Sequence, residues 1–131
     1  MSIQNGYKIE PFADLREADL RHANLAGANL ERANLEKANL FKADLTGANL
    51  TGACLFGAYL VAADLEHSDL SYANLQGANA TAANLKNTIL NSANFDYTNF
   101  EIANLKGAIG FCTGETTILT GTIMPDGKVN R

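Results

Sequence analysis

The sequence predicts an all-β solenoid, a square coil in which four five-residue units make each turn. One five-residue unit repeats with little change: Ala, Asn or Asp, Leu, then two variable residues, as in ANLERANLEKANLFKADLTGANL at 28–50. The unit recurs 19 times between Ala13 and Gly107. The chain is 47% hydrophobic but only 8% aromatic, without Trp. An internal repeat this regular outweighs every other signal in the chain, and the core must be built from small and aliphatic side chains.

Three positions of the unit hardly vary. The central position is Leu in 16 units, and the exceptions are Ala80, Phe95 and Phe100. Two residues earlier the unit has Ala 16 times, and the exceptions are Ser68, Thr88 and Thr98. Between these two positions the unit has Asn or Asp 16 times, and the exceptions are Cys54, Tyr59 and Ile89.

A period of five fits neither a helix nor a long strand. On a helix, five residues turn the leucine by about 140°, which scatters it over all faces. On one strand, an odd period sends successive leucines to opposite faces. Within a unit, however, Ala and Leu are two residues apart and point the same way on an extended piece. A bend of about 90° after every unit then turns both inward, and the coils stack about 4.8 Å apart.

The bends must fall at the two variable residues. A type II turn needs positive φ at its third residue, which suits Gly or Asn. The second variable position has Gly in some units but Glu17, His22, Lys37, Lys42 or Tyr97 in others. We therefore expect mixed turn types, with the bulky residues at corners that turn differently.

The repeat A-[ND]-L-x-x resembles the pentapeptide-repeat family over about 95 of the 131 residues. The resemblance implies a right-handed quadrilateral β-helix of about five coils with short irregular end caps. The ending TGTIMPDG is similar to the ends of cyanobacterial members. The right hand follows from the resemblance, because the period alone does not set it.

Three regions follow from this pattern: an N-terminal cap at 1–12, the repeat domain at 13–107 and a C-terminal cap or tail at 108–131. A solenoid exposes its core and strand edges at both ends, so each end needs a cap. Apolar residues that can cover the first coil are Ile3, Tyr7, Ile9 and Phe12. At the other end they are Ile109, Phe111, Ile118, Leu119, Ile123 and Met124. A dimer contact made by the same tail is the alternative to capping.

Composition limits the classes of partner and the cellular compartments that the sequence predicts. The net charge of −4 argues against direct nucleic-acid binding, which favours a basic surface. No apolar run approaches the roughly 18 residues of a membrane span. The start, MSIQNGYKIEPF, lacks the features of a secretory leader. Cys54 and Cys112 are expected to be free thiols, so we predict a cytoplasmic protein.

No catalytic, cofactor or metal site is predicted. His22 and His67 fall two coils apart, whereas a metal site needs about four converging ligands. The Asn and Asp residues occupy one structural position, where they can bond the backbone of the bends. No nucleophile triad or phosphate loop is present. We therefore expect a protein that is not an enzyme.

One surface departs from the pattern. Cys54 and Tyr59 replace Asn or Asp in the third coil, Phe56 and Val61 occupy its variable positions, and Phe41 falls one coil before Val61. Together they predict an exposed apolar patch across one corner. Such patches often mark an interface, although single exposed apolar residues are normal. We expect the patch to bind a partner protein or a second copy.

Two function classes remain. The first is a non-enzymatic structural or protein-interaction module, a rigid scaffold that binds an unidentified protein partner and alternatively forms a homodimer through an end cap or the patch. The second comes from the resemblance, because some pentapeptide-repeat proteins mimic DNA and bind DNA gyrase. Mimicry requires a strongly acidic rod, whereas the first two coils here mix acidic and basic residues. The interaction module is therefore the preferred prediction.

Overall fold

The repeat winds into a right-handed quadrilateral β-helix, which confirms the predicted all-β fold class. The structure is a computed structural model that describes residues 2–131; Met1, the first residue of the predicted N-terminal cap, lies outside the described residues. Asp14 forms a parallel bridge with Asn34, and the same step of 20 residues recurs as far as the bridge from Ile89 to Ile109. Each coil therefore contains four units. Coils 1 to 4 comprise 13–32, 33–52, 53–72 and 73–92, and coil 5 begins at Ala93.

The four sides are named here after their first bridging residue. The Asp14 face continues through Asn34, Cys54, Asn74 and Asn94. The Asp19 face continues through Asn39, Tyr59, Asn79, Asn99 and Ile118. The Asn24 face continues through Asp44, Asp64, Asn84, Asn104 and Ile123, and the Asn29 face through Asn49, Asp69, Ile89 and Ile109.

The interior holds the two apolar positions of each unit. Every central Leu is at most 2% exposed, and Phe100 is completely buried. The polar residues at Ala positions are also fully buried. The hydroxyls of Thr88 and Thr98 donate to the carbonyl oxygens of Leu85 and Leu75, at 2.8 and 2.6 Å. Two of the three hydroxyls at Ala positions therefore have a carbonyl partner, whereas the hydroxyl of Ser68 has none among residues 2–131.

All 19 corners have one backbone conformation, so the expectation of mixed turn types is wrong. The third corner residue has φ between +51° and +76° at every corner, including Lys37, Tyr97 and Ile102. The fourth residue closes the turn, as when the amide of Ala18 donates to the carbonyl of Leu15 at 3.1 Å. Positive φ at the third residue together with this bond is type II geometry.

The reason for this uniformity is the hydrogen bonding between coils. At 17 of the 19 corners the third residue donates its amide to a corner carbonyl of the next coil, as Glu17 does to Glu36 at 2.8 Å. Of the other two, Tyr97 donates to Oγ1 of Thr116, and Ser92 has no such bond among residues 2–131. A corner that turned differently would break this bond and the register of the next face. The ladder therefore holds bulky residues in a region that costs a non-glycine residue roughly 1–2 kcal/mol.

The N-terminal end is closed by a β-hairpin. Strand β1 (Ser2–Gln4) pairs antiparallel with β2 (Tyr7–Ile9). Side chains of the hairpin bond the free edge of coil 1. The amides of Asp19 and Asn24 donate to the oxygens of Tyr7 and Gln4, at 3.3 and 3.1 Å. The hairpin thereby covers two of the four strand edges that the first coil exposes.

At the C-terminal end the parallel ladder extends beyond 107, but with one residue fewer per coil. Asn99 bridges Ile118 and Asn104 bridges Ile123, each a step of 19 residues. The chain then turns back, and Val129 pairs antiparallel with Ile123. The rings of Phe95, Phe100 and Phe111 lie 5.3 to 5.7 Å apart at the end of the interior. The tail thus covers the last coil with a short hairpin and an aromatic cluster.

Nowhere in residues 2–131 is there a helix with the length and apolar character that crossing a membrane requires.

Candidate protein-interaction surface

The Asn and Asp side chains have a structural role that the repeat predicts. In every one of the 16 units that contain Asn or Asp, the side-chain oxygen Oδ1 accepts the amide two residues later, at 2.9 to 3.3 Å. This is the geometry of an Asx turn, which holds the entry to the corner. We call this bond the Asx brace. Its regularity confirms that these residues stabilise bends.

Coil 3 lacks the brace at two successive corners. Cys54 and Tyr59 offer no oxygen in this position, and the amides of Phe56 and Val61 have no hydrogen-bond acceptor among the described residues. Both amides lie at corners that border the Asp19 face. Ile89, the third exception, lies on the Asn29 face. The surface around Tyr59 thus has two unpaired donors, which a neighbouring polypeptide can use.

The predicted patch forms on the Asp19 face and its two corners. The rings of Phe41 and Tyr59 lie 6.3 Å apart with 36° between their planes. Tyr59 is 42% exposed and Phe56 is 36% exposed. Val61 is half-buried and lies one coil after Phe41 at the same corner. Its carbonyl accepts the amide of Lys42, the residue that follows Phe41, at 3.1 Å. Cys54 is half-buried on the neighbouring Asp14 face. The structure therefore groups Phe41, Tyr59 and Val61, whereas Phe56 and Cys54 extend the patch around the corner.

Basic side chains border the patch in coil 2. The ammonium of Lys42 lies 5.4 Å from the ring centre of Phe41, within the range of a cation–π contact. The stem of Lys37 lies against Gly57, where an added Cβ would be 3.4 Å from Cγ of Lys37. The ring of His22 meets Phe41 edge-on at 5.7 Å.

The patch lies within an uncharged part of the chain. No Asp, Glu, Lys or Arg occurs between Asp44 and Asp64, or between Asp69 and Lys86. In coils 3 and 4 the Asp14 and Asp19 faces and the corners that border them consequently have no formal charge. Removing water from this surface requires no desolvation of an ion, which is the main cost of burying a polar surface.

Sequence reasoning missed a second apolar group on the same face. Tyr97 is 64% exposed, Ile102 is 60% exposed and Ile118 is 46% exposed. Tyr97 and Ile102 occupy third corner positions on either side of Asn99, and Ile118 bridges Asn99 one coil later. The available signal was the apolar or aromatic side chain, because the other large residues at this position, apart from Tyr72, are charged or His. The sequence places Ile118 among the apolar residues of the C-terminal cap.

Other chemistry is sparse. Among residues 2–131, no three His, Cys, Asp or Glu side chains lie close enough together to hold a metal ion. His67 Nε2 lies 3.7 Å from the carboxylate of Glu66, and His22 packs on Phe41. A surface depression of about 440 Å³ is lined by charged groups at 14, 16, 17, 36 and 37, and the Asp14 and Arg16 groups in it already form an ion pair at 2.7 Å. Cys54 and Cys112 are free thiols.

Comparisons with known proteins place this fold in a family. The model of pentapeptide repeats matches in eight copies, over 13–52, 48–87, 58–96 and 73–109. A pentapeptide repeat protein from the Arabidopsis thaliana thylakoid lumen is 37% identical, with a TM-score of 0.67. The alignment covers 69% of this chain and 63% of that protein, so this chain spans less than two thirds of its length.

Two cyanobacterial structures are also similar. HetL, a pentapeptide repeat protein involved in heterocyst differentiation regulation in Nostoc, is 36% identical over 91% of this chain and 67% of its own, with a TM-score of 0.45. A further pentapeptide repeat protein from Nostoc is 31% identical over 69% of this chain and 83% of its own, with a TM-score of 0.43. No curated protein matched this chain in a sequence comparison.

The similarity to a thylakoid-lumen protein contradicts the predicted cytoplasmic location. That prediction rested on the residues at the start of the chain and on two free cysteines. Neither feature is specific to one compartment. The repeat model covers most of the chain, from 13 to 109. The chain belongs to the pentapeptide-repeat family.

Proposed function

We propose that this protein is a non-enzymatic interaction module, a rigid β-helical scaffold that binds a protein partner through the Asp19 face around Tyr59. Pentapeptide-repeat proteins are in general structural or interaction scaffolds. The observation that carries the proposal is the loss of two successive Asx braces at Cys54 and Tyr59. The fold uses the brace in all 16 units that contain Asn or Asp, so its replacement here serves something other than folding.

Several properties of the patch support this role. It combines an exposed Tyr59, an exposed Phe56 and two unpaired amides in a region without formal charge. Aromatic side chains surrounded by polar groups are typical of the centre of an interface. A four-sided solenoid is also a stiff support, because each coil is bonded to its neighbours along every face. A partner would therefore meet a preformed surface and lose little free energy to its ordering.

The gyrase-binding DNA mimic has less support. The carboxylates of Asp14 and Asp19 are paired with Arg16 and Arg21 at 2.7 Å, which neutralises them. Coils 1 and 2 add three exposed cations, at 32, 37 and 42. A duplex mimic needs continuous acidic columns that steer it into a DNA-binding groove. A gyrase supercoiling assay separates the two functions, since the interaction module should leave supercoiling unchanged.

A transplanted surface provides the sharpest test. The triple variant Phe56→Gln, Tyr59→Asn and Val61→Thr copies onto coil 3 the residues that coil 4 has at 76, 79 and 81. We expect it to fold, because the same residues are accommodated one coil later. We expect the variant to bind smaller amounts of the proteins that the unmodified chain retains from an extract of the source organism. Quantitative mass spectrometry of the bound proteins provides the measurement.

The matched control is Tyr72→Ser, which removes an exposed aromatic side chain at a different corner and copies Ser92 of the next coil. It should retain the same proteins as the unmodified chain. If the triple variant retained them too, the Asp19 face would not be the binding surface and the proposal would be wrong.

A further inference from the structure

The Asp19 face has a size pattern that is symmetric about the boundary between coils 3 and 4. Small residues occupy the third corner positions on both sides of the face in these coils: Gly57, Ala62, Gly77 and Ala82. Large residues occupy the same positions in coils 2 and 5: Lys37, Lys42, Tyr97 and Ile102. The face is therefore a shallow trough two coils tall, with large side chains standing at both of its ends.

Charge along the same face is antisymmetric about that boundary. At the corners that border the face, coil 2 has Lys37 and Lys42 together with Glu36, coils 3 and 4 have no charged residue, and coil 5 has Asp96 and Glu101. The two lysines and the two coil 5 carboxylates are exposed. Glu36 and Asp96 both lie on the side of their corner nearer the Asp14 face, since they precede Lys37 and Tyr97. The trough is thus net positive at one end and negative at the other.

We propose that the partner of the Asp19 face is a second copy of this chain, bound antiparallel. A two-fold axis perpendicular to the solenoid axis, between coils 3 and 4, places coil 2 of each copy on coil 5 of the other and coil 3 on coil 4. Such an isologous contact uses one patch twice and closes after two subunits. This inference rests on the proposed function, for which it names the partner.

Size and charge both match in this arrangement. The ring of Tyr59 stands over Asn79 of the second copy, in the part of the trough that Gly77 and Ala82 leave open. Lys37 meets the corner of Asp96 and Tyr97, where Glu36 also faces Asp96, so the complementary charge pair is Lys42 with Glu101 at the other corner. By the two-fold symmetry this pair occurs at both ends of the contact, which also fixes the antiparallel orientation.

Apolar contacts complete the ends. At the corner that follows the face, Phe41 and Lys42 of one copy meet Glu101 and Ile102 of the other, so Phe41 lies diagonally beside the exposed Ile102 and Lys42 diagonally beside Glu101. The uncharged middle buries no ion, and the amides of Phe56 and Val61 lie there facing the polar side chains of coil 4. The second apolar group and the Tyr59 patch, which appear unrelated along one chain, thereby form one continuous interface.

The Asn24 face would not pair in this way. Asp44 and Asp64 lie in its own column in coils 2 and 3, so the middle of the face contains a carboxylate that an antiparallel copy repeats rather than neutralises. Like charges placed together in a contact oppose association. The Asp19 face differs in having neutral residues in its own column throughout coils 2 to 5.

Charge reversal with rescue tests the proposal by sedimentation equilibrium. A strip four coils tall, about 19 Å by strand spacing, is a small interface, so the measurement should extend to about 1 mM protein. We expect the unmodified chain to dimerise, and Lys42→Glu or Glu101→Lys alone to weaken the dimer by roughly tenfold or more, because each change acts at two symmetric contacts. The double variant should restore the dimer. Lys106→Glu, an equal charge change at a distant corner, should leave it unchanged.

Cross-linking tests the orientation. Variants with Val61→Cys and Thr81→Cys, each with Cys54 and Cys112 changed to Ser, should form a mixed disulfide when combined, since coil 3 faces coil 4. A Cys at Glu17 should not cross-link to either.

Three results would overturn the inference. They are a chain that stays monomeric at every concentration, a dimer whose affinity neither charge reversal changes, and a dimer that does not form this cross-link. If the chain is monomeric but the transplanted variant still loses other proteins from the extract, the inference fails and the proposed function stands. If neither effect appears, both are wrong.

Discussion

Phe41 and Tyr59 lie 18 positions apart in the sequence, yet their rings are 6.3 Å apart on one face of the solenoid. This contact exists because Tyr59 replaces an Asx brace. The side chain that would bond its own corner instead reaches the preceding coil. A position that stabilises the fold elsewhere here provides exposed aromatic surface.

Tyr59→Asn should leave stability almost unchanged. The new side chain can accept the amide of Val61, as Asn79 accepts that of Thr81 at 3.1 Å, which contributes about 1 kcal/mol. The lost ring contact with Phe41 costs about 0.5–1.5 kcal/mol. The free energy of unfolding, measured in urea, should therefore stay within about 1 kcal/mol of the original.

The reverse exchange is the matched control. Asn79→Tyr removes acceptors for both the amide and the hydroxyl of Thr81, at 3.1 and 2.6 Å, and should lower the free energy of unfolding by about 1–3 kcal/mol. Equal effects for the two exchanges would contradict the role assigned to the brace.

The hydroxyl of Ser68 is buried and has no hydrogen-bond partner among residues 2–131. Ser68→Ala restores the usual residue of the repeat and removes the desolvated hydroxyl, so it should raise the free energy of unfolding by about 1–3 kcal/mol. Thr98→Ala should do the opposite, since the Thr98 hydroxyl donates to the carbonyl of Leu75 at 2.6 Å. Thermal unfolding should therefore show a higher midpoint temperature for Ser68→Ala and a lower one for Thr98→Ala.

Adjacent corners of coil 4 test the backbone strain. Gly77 and Ala82 have φ of +70° and +59°, and nothing lies within 4 Å of a Cβ added to Gly77. Gly77→Ala should lower the free energy of unfolding by roughly 1 kcal/mol, because only the left-handed backbone opposes it. Ala82→Gly relieves the same strain, although the greater freedom of Gly in the unfolded chain offsets part of the gain. Urea unfolding in which both variants matched the original protein would contradict strained corners.

Leu60 is fully buried in the middle of the interior. Leu60→Ala should lower the free energy of unfolding by about 2–5 kcal/mol through the cavity it leaves. Leu60→Asp should prevent folding, since it places an unpaired charge among the stacked leucines. Circular dichroism and chemical denaturation provide the measurement, and a folded Leu60→Asp variant would refute the inward direction of this position.

Acid should weaken the first coil at a defined pH. Hydrogen bonds from the Arg16 and Arg21 side chains lower the pKa values of Asp14 and Asp19 from 3.8 to about 2. A lowered pKa means that the ionised form favours the folded state. This contribution is complete above about pH 4 and disappears as the pH falls through about 2.

The double variant Arg16→Gln with Arg21→Gln should return both pKa values toward 3.8, as measured by NMR titration of the carboxyl carbons. Both carboxylates are well exposed, so the effect on stability should be small and reduced by salt. Values that stayed near 2 in the variant would show that the arginines do not cause the shift.

Much of this fold is predictable from the sequence, because the period of five has few structural solutions. Ala and Leu two residues apart, as at Ala58 and Leu60, must share a side of an extended piece, and only regular bends collect all such pairs in one interior. The Asx braces were predictable for a similar reason, since Asn and Asp bond nearby backbone in turns. The Tyr59 patch was visible as a break in both patterns.

Other features depended on long-range contacts. The exposed group around Ile118 forms because the last coil has a step of 19 residues. The period of five does not predict this step. That step arises where the repeat has ended and Phe111 packs against the end of the interior.

The sequence by itself determined the period, the interior and the class of fold, since each unit contains the two apolar residues and the bend that a square coil needs. The tertiary structure alone decided the conformation of the corners and the surface they present. Hydrogen bonds between coils force Lys37 and Gly57 into the same left-handed turn, although their own preferences differ. Stacking energy shared along the ladder exceeds the strain at any single corner, so residues chosen for the surface can occupy positions that favour glycine.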